Sequence, residues 1–177
     1  MSVKKMCRIA LMTAVICAVA PLSIPVGAIP ISLATLAVYA AGICLGPRDG
    51  VIAVALYILL AGAGVPVFSG FRSGFAHLAG ATGGYIIGYI PMAILSGLAR
   101  GRSLVMRGVF LIAATAACYL LGTVWFIALT GTSVAASLSA CVLPFLPGDF
   151  LKMLVIALPE AAITSRLTRT SMLDCIN

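Results

Sequence analysis

Six long apolar stretches, cut apart by clusters of Pro, Gly and charge, leave this chain little choice of fold. Crossing a bilayer takes roughly 20 consecutive apolar residues, and the stretches here run at about 5–23, 31–46, 50–65, 78–99, 107–130 and 147–168. Composition agrees: 63% of the 177 residues are apolar and 8% are charged, against about 45–50% and about 25% in soluble domains. With a mean hydropathy of +1.22, there are too few charged side chains to cover a globule of this size. A soluble enzyme is excluded, as are disordered, fibrous and nucleic-acid-binding classes. The expectation is an all-α integral membrane protein: one domain over 1–177, six transmembrane helices, both termini cytoplasmic.

The turn signals are specific. Gly46-Pro47-Arg48-Asp49-Gly50 separates the second and third helices, and the third ends in Gly62-Ala63-Gly64. Residues 132–143 are too short and polar to span, so a small interfacial helix is expected there. The N-terminus resembles a signal peptide, but no small-x-small cleavage site follows before the next apolar segment, so it reads as the first transmembrane helix. Charge orients the bundle. With the N-terminus inside, Lys4, Lys5, Arg8, Arg48, Arg100, Arg102, Arg107, Arg166 and Arg169 all face the cytoplasm. Only Arg72 faces out, and Lys152 lies within the last helix. That asymmetry obeys the positive-inside rule and accounts for the net charge of +7 without an acidic partner. Six cysteines are scattered singly, which suits apolar packing better than metal ligation. No phosphate-binding loop is present, so ATP-driven transport would need a motor on another subunit. No catalytic residue, metal ligand or cofactor is expected.

Few ionisable groups remain inside: Asp149, Lys152, Glu160, and, toward the outer loop, Arg72 and His77. Asp149 and Lys152 stand one turn apart at the outward start of the last helix, and each costs about 2.5–3.5 kcal/mol to insert. They either neutralise one another or grip a ligand. Ionisable residues within membrane spans are functional by default, and the Pro-Gly break beside them suits a cavity wall. The outer loop 64–89 is rich in Gly and aromatics. Phe68 and Phe71 can cover a flat apolar ligand, Arg72 can meet an anionic group, and Thr82 and Tyr85 add hydroxyls. Gly83 and Gly84 admit close approach of a helix or a ligand. In the first helix, Ala10, Ala14 and Ala18 form a small-residue stripe suited either to internal packing or to docking on another membrane subunit.

Three segments carry a resemblance along essentially the whole chain: Gly64–Phe68 (GVPVF), Thr82–Tyr89 (TGGYIIGY) and Phe145–Lys152 (FLPGDFLK). By these the chain resembles the BioY family, the biotin-specific substrate-binding (S) components of energy-coupling factor transporters. It departs from the family at Ser32, Ala34 and Ala81, where Thr, Gln and Pro are usual. The resemblance implies a prokaryotic cell-membrane protein that captures biotin outside and presents it to the cytoplasm by toppling. The implied partners are a transmembrane coupling protein (T component) and two ATPase subunits. Asp149 would then accept the ureido N–H groups of biotin, and Lys152 or Arg72 would pair with its carboxylate. Tyr85 and the phenylalanines would pack on the rings, and Ser32, Thr35 and Thr82 would offer hydroxyls. The stripe Ala10/Ala14/Ala18 would dock the coupling protein. An S component for another vitamin shares these expectations except for the Phe145–Lys152 pattern. A stand-alone carrier would instead string its charges through the bilayer.

Overall fold

The computed structural model describes residues 3–24 and 30–157. These residues are mostly helical. Helix α1 spans Val3–Val19, α2 Ala34–Leu45, α3 Pro47–Gly62, α4 Phe75–Ala79, α5 Gly83–Leu98, α6 Leu104–Thr130 and α7 Val134–Cys141. A further helix, α8, runs from 146 to the last described residue, 157. Glu160, Arg166, Arg169 and the expected helical stretch beyond 157 lie outside the described residues.

By length and composition, α6 is the one helix among the described residues that is long and apolar enough to cross a membrane; α2 and α5 are apolar but shorter. Two differences from the expected segments explain the shortening. Residues 31–33 are not helical: Ser23–Ile24 (β1) and Ile31–Ser32 (β2) form a two-residue antiparallel ladder, with Ser23 opposite Ser32. The segment expected to be helical from 78 is broken at 80–82. Gly80 takes an extended conformation and its N–H turns back to His77 O, so α4 and α5 are separate helices. The short helix expected near 132–143 is α7, capped by the Ser133 hydroxyl, which accepts from Ala136 N.

Helix α5 lies at the centre, packed against α6, α2 and α3, while α1 packs on α3 and α2. The α1 face that meets this core carries Ile9, Thr13 and Ile16, whereas Ala10, Ala14 and Ala18 are exposed on the opposite side. The alanine stripe is therefore unused inside the bundle.

The bundle's two ends differ in charge. Lys4, Lys5, Arg8, Arg48, Arg100, Arg102 and Arg107 gather at one end, and Arg72 lies at the other. Arg107, expected at a loop boundary, is instead inside α6 and 1% exposed. Its guanidinium donates to Ala157 O at 2.8 Å and to Arg102 O at 3.1 Å, tying α8 to the α5–α6 turn. Carbonyls pointing inward at helix ends have no other donor within the apolar core, so a buried arginine is well matched to them. Arg107→Leu should lower the stability of the detergent-solubilised protein by about 3 kcal/mol, taking about 1.5 for each charge-assisted bond. Arg107→Lys should lose less, as read by thermal unfolding.

Candidate functional site

The first turns of α8 carry Asp149 and Lys152, 2% and 8% exposed. Lys152 Nζ lies 2.8 Å from Asp149 Oδ1 and donates also to Ser32 O at 2.7 Å and Thr35 Oγ1 at 3.0 Å. Thr35 Oγ1 passes its own proton to Asp149 Oδ1 at 3.2 Å, and Tyr119 OH donates to Asp149 Oδ2 at 2.6 Å. All three ammonium protons thus have acceptors, and the carboxylate has three donors. Such saturation is what permits two charges to be buried, since each loses several kcal/mol of hydration. Tyr119 sits near the midpoint of the 27-residue α6, so the pair is deep in the bundle rather than at its mouth. Residues 142–145 make this possible by turning the chain inward before α8 begins.

From the pair, a row of voids leads outward. A void of about 40 Å³ is lined by Ser32, Thr35, Tyr85, Tyr89, Tyr119 and the charge pair. Across Tyr85 and Tyr89 lies a second of about 30 Å³, walled by Tyr57, Phe68, His77 and Thr82. Beyond it opens a vestibule of about 510 Å³, bordered by Ser23, Arg72, His77 and Thr82. Either inner void suits one or two waters, whereas a benzene-sized guest needs about 150 Å³. The passage is therefore closed. Phe68, 1% exposed, is its stopper: the ring meets Tyr57 edge-on at 5.8 Å and lies over His77 at 5.2 Å. Burial, then the charge of Arg72, holds the His77 imidazole below its usual range. His77 Nε2 is 3.2 Å from Thr82 Oγ1.

The structure thus brings Ser32, Thr35, Thr82, Tyr85, Phe68, Asp149 and Lys152 onto one passage. Tyr85 lines it with its ring, while its hydroxyl is tied back to Thr123 at 3.3 Å and Cys141 O at 3.4 Å. The ring lies flat over Gly122, where any side chain would collide with it. Arg72 is exposed at the outer vestibule and does not reach the inner voids. Phe71 is 66% exposed and lines none of these voids; its positive φ of 58° in the tight Phe68–Arg72 turn leaves it outside the wall. Gly83 and Gly84 are not on the passage either. A Cβ at Gly83 would strike Leu78 O, and one at Gly84 would strike Trp125 Cβ, so both serve the close α5–α6 contact. Trp125 Nε1, held in that seam, donates to Gly80 O at 3.0 Å. Sequence reasoning missed Tyr119, Tyr89 and Tyr57. The available signal was a tyrosine hydroxyl inside an apolar span, which must find a partner once buried. Among the described residues no group of side chains is arranged to hold a metal ion.

A saturated charge pair at the inner end of a closed passage, inside an apolar helical bundle, is the working part of a transporter's substrate-binding subunit in a membrane. The BioY family model matches residues 1–169. The chain belongs to the BioY family. It is 35% identical over 152 residues to a probable biotin transporter BioY of Pyrococcus horikoshii, covering 86% of this chain and 91% of that one. It is 31% identical over 166 residues to biotin transporter BioY2 of Lactococcus lactis, covering 92% and 91%. A crystal structure described as the S-component for biotin from an ECF-type ABC transporter superposes with a TM-score of 0.82 at 28% identity, covering 94% of this chain and 92% of that one.

Lys152→Met should leave Asp149 without its counter-charge and cost about 3–5 kcal/mol. Asp149→Asn/Lys152→Met, which removes both charges, should regain much of that loss. Thermal unfolding of the two variants in one detergent checks the difference.

Proposed function

We propose that this chain captures biotin and carries it across the cell membrane as the S component of an ECF-type transporter. The observation that carries the reading is the buried Asp149–Lys152 pair at the closed end of a passage from an open vestibule. Biotin offers two ureido N–H donors flanking one carbonyl, an apolar fused ring, and a carboxylate on a flexible tail. A carboxylate and an ammonium 2.8 Å apart suit the ureido group, Asp149 accepting its N–H groups and Lys152 donating to its carbonyl. The ligand takes over positions that Thr35 and Tyr119 hold in the closed state. Tyr85, Tyr89 and Phe68 supply apolar faces for the rings, once Phe68 withdraws. The tail then points outward, which favours Arg72 over Lys152 as partner of the biotin carboxylate.

Buried polar groups discriminate strongly, because an analogue lacking the ureido donors leaves the site's acceptors unpaired. No step is covalent. The cationic end of the bundle lies in the cytoplasm under the positive-inside rule, which puts the vestibule outside. The exposed stripe Ala10/Ala14/Ala18 supports docking of α1 on a transmembrane coupling protein, with ATP hydrolysis by two further subunits.

Purified wild-type protein should retain radiolabelled biotin, and mass spectrometry of the co-purifying small molecule should find biotin; a different vitamin there would overturn the reading. Asp149→Asn/Lys152→Met should lose retention by more than about 100-fold, since two charge-assisted contacts of about 1.5–3 kcal/mol each disappear. Tyr119→Phe should keep most of it. Ala14→Trp should block association with the coupling subunit while leaving biotin retention intact, as measured by co-purification; loss of both would return the stripe to a packing role.

A further inference from the structure

At the end of the bundle remote from the vestibule, α1, the α2–α3 junction and the end of α5 enclose another cavity of about 340 Å³. Its wall carries four cations, Lys4, Lys5, Arg8 and Arg100, and one carboxylate, Asp49. Lys5 answers that carboxylate, with Nζ 2.8 Å from Asp49 Oδ1, and Asp49 itself sits in the first turn of α3, where negative charge is favoured. Among the described residues lining this cavity, Lys4, Arg8 and Arg100 face no second carboxylate. Repulsion among cations drawn together from two helices is relieved by an anion, and guanidinium groups pair with phosphate oxygens through two parallel bonds.

The surroundings indicate which anion. From Arg8 the same flank of α1 continues into Leu11 and Val15, 68% and 41% exposed, one and two turns along. A free anion has no use for that apolar track, whereas a phospholipid whose headgroup occupies the cavity would lay its acyl chains along it. We propose that this cavity binds the phosphate of an anionic phospholipid headgroup, held by Arg8 and Arg100 with Lys4 beside them. The site is separate from the Asp149–Lys152 passage and does not depend on what that passage binds.

The full-length protein in neutral detergent is titrated with phosphatidylglycerol, phosphatidylcholine or inorganic phosphate, and thermal protection is read beside lipid adducts in native mass spectra. Phosphatidylglycerol should protect the wild type and remain bound in the spectra. Arg8→Gln/Arg100→Gln should need about thirty-fold more of it, from about five-fold for each cation near a membrane surface. Arg48→Gln/Arg102→Gln removes the same charge at the same end but off the cavity wall, and should behave as wild type. Equal weakening in both pairs would overturn the site in favour of a diffuse surface charge. Protection by inorganic phosphate as full as that by phosphatidylglycerol would overturn the lipid assignment, and so would equal protection by phosphatidylcholine. If Arg8→Gln/Arg100→Gln does not survive purification, absence of a phosphatidylglycerol adduct on the wild type overturns the proposal by itself. Biotin retention, measured on the same samples, reports separately on the passage.

Discussion

Everything at the centre of this protein depends on keeping two opposite charges out of water. A buried carboxylate and ammonium each forfeit several kcal/mol of hydration, and their attraction offsets that only when every remaining proton and lone pair is also satisfied. Here the satisfaction comes from four separate elements: Ser32 O on β2, Thr35 on α2, Tyr119 on α6, and the two partners on α8. No subset of these is enough. The requirement therefore locks the short β ladder, the start of α2 and the middle of α6 to a single point. Any solute that binds the pair must substitute for some of those contacts, so binding and the position of the β2–α2 segment are linked.

Around that point the bundle is built for tightness. Glycines at 83, 84 and 122 bring α5 and α6 so close that the rings of Trp125 and Tyr85 fill the seam. The rigid aromatic wall that results leaves voids of only about 30 and 40 Å³ between the vestibule and the charge pair. Close packing of this kind transmits displacement poorly in small steps and favours discrete open and closed arrangements. Phe68, in a tight turn between α3 and α4 rather than within a long helix, is the part of the wall with least to hold it from outside.

How much of this the chain discloses on its face varies with the range of the interaction. Asp149 and Lys152 stand out because their spacing is local and their chemistry is foreign to an apolar segment. Arg107 is as foreign, yet its burial depends on carbonyls at Arg102 and Ala157, one of them fifty residues away. Tyr119 gives less warning still, since a tyrosine in a membrane segment is unremarkable until a carboxylate from another helix meets its hydroxyl. Gly83 and Gly84 show the opposite error. Their sequence context suits a ligand or a helix equally, and the choice rests on where Trp125 falls. Phe71 looks equivalent to Phe68 in sequence, but a positive φ in a tight turn sends one ring outside and leaves the other as the stopper.

Composition and periodicity alone determined that this chain is an apolar helical membrane protein with its cations segregated to one end and an isolated charge pair within. Those properties follow from the solubility of side chains and the length of apolar runs, which are additive along the chain. Tertiary structure decided the depth of the pair, the identity of its hydrogen-bond partners, the closure of the passage and the outward face of the alanine stripe. Each of these depends on distances between residues far apart in sequence, and such distances are set only when helices pack.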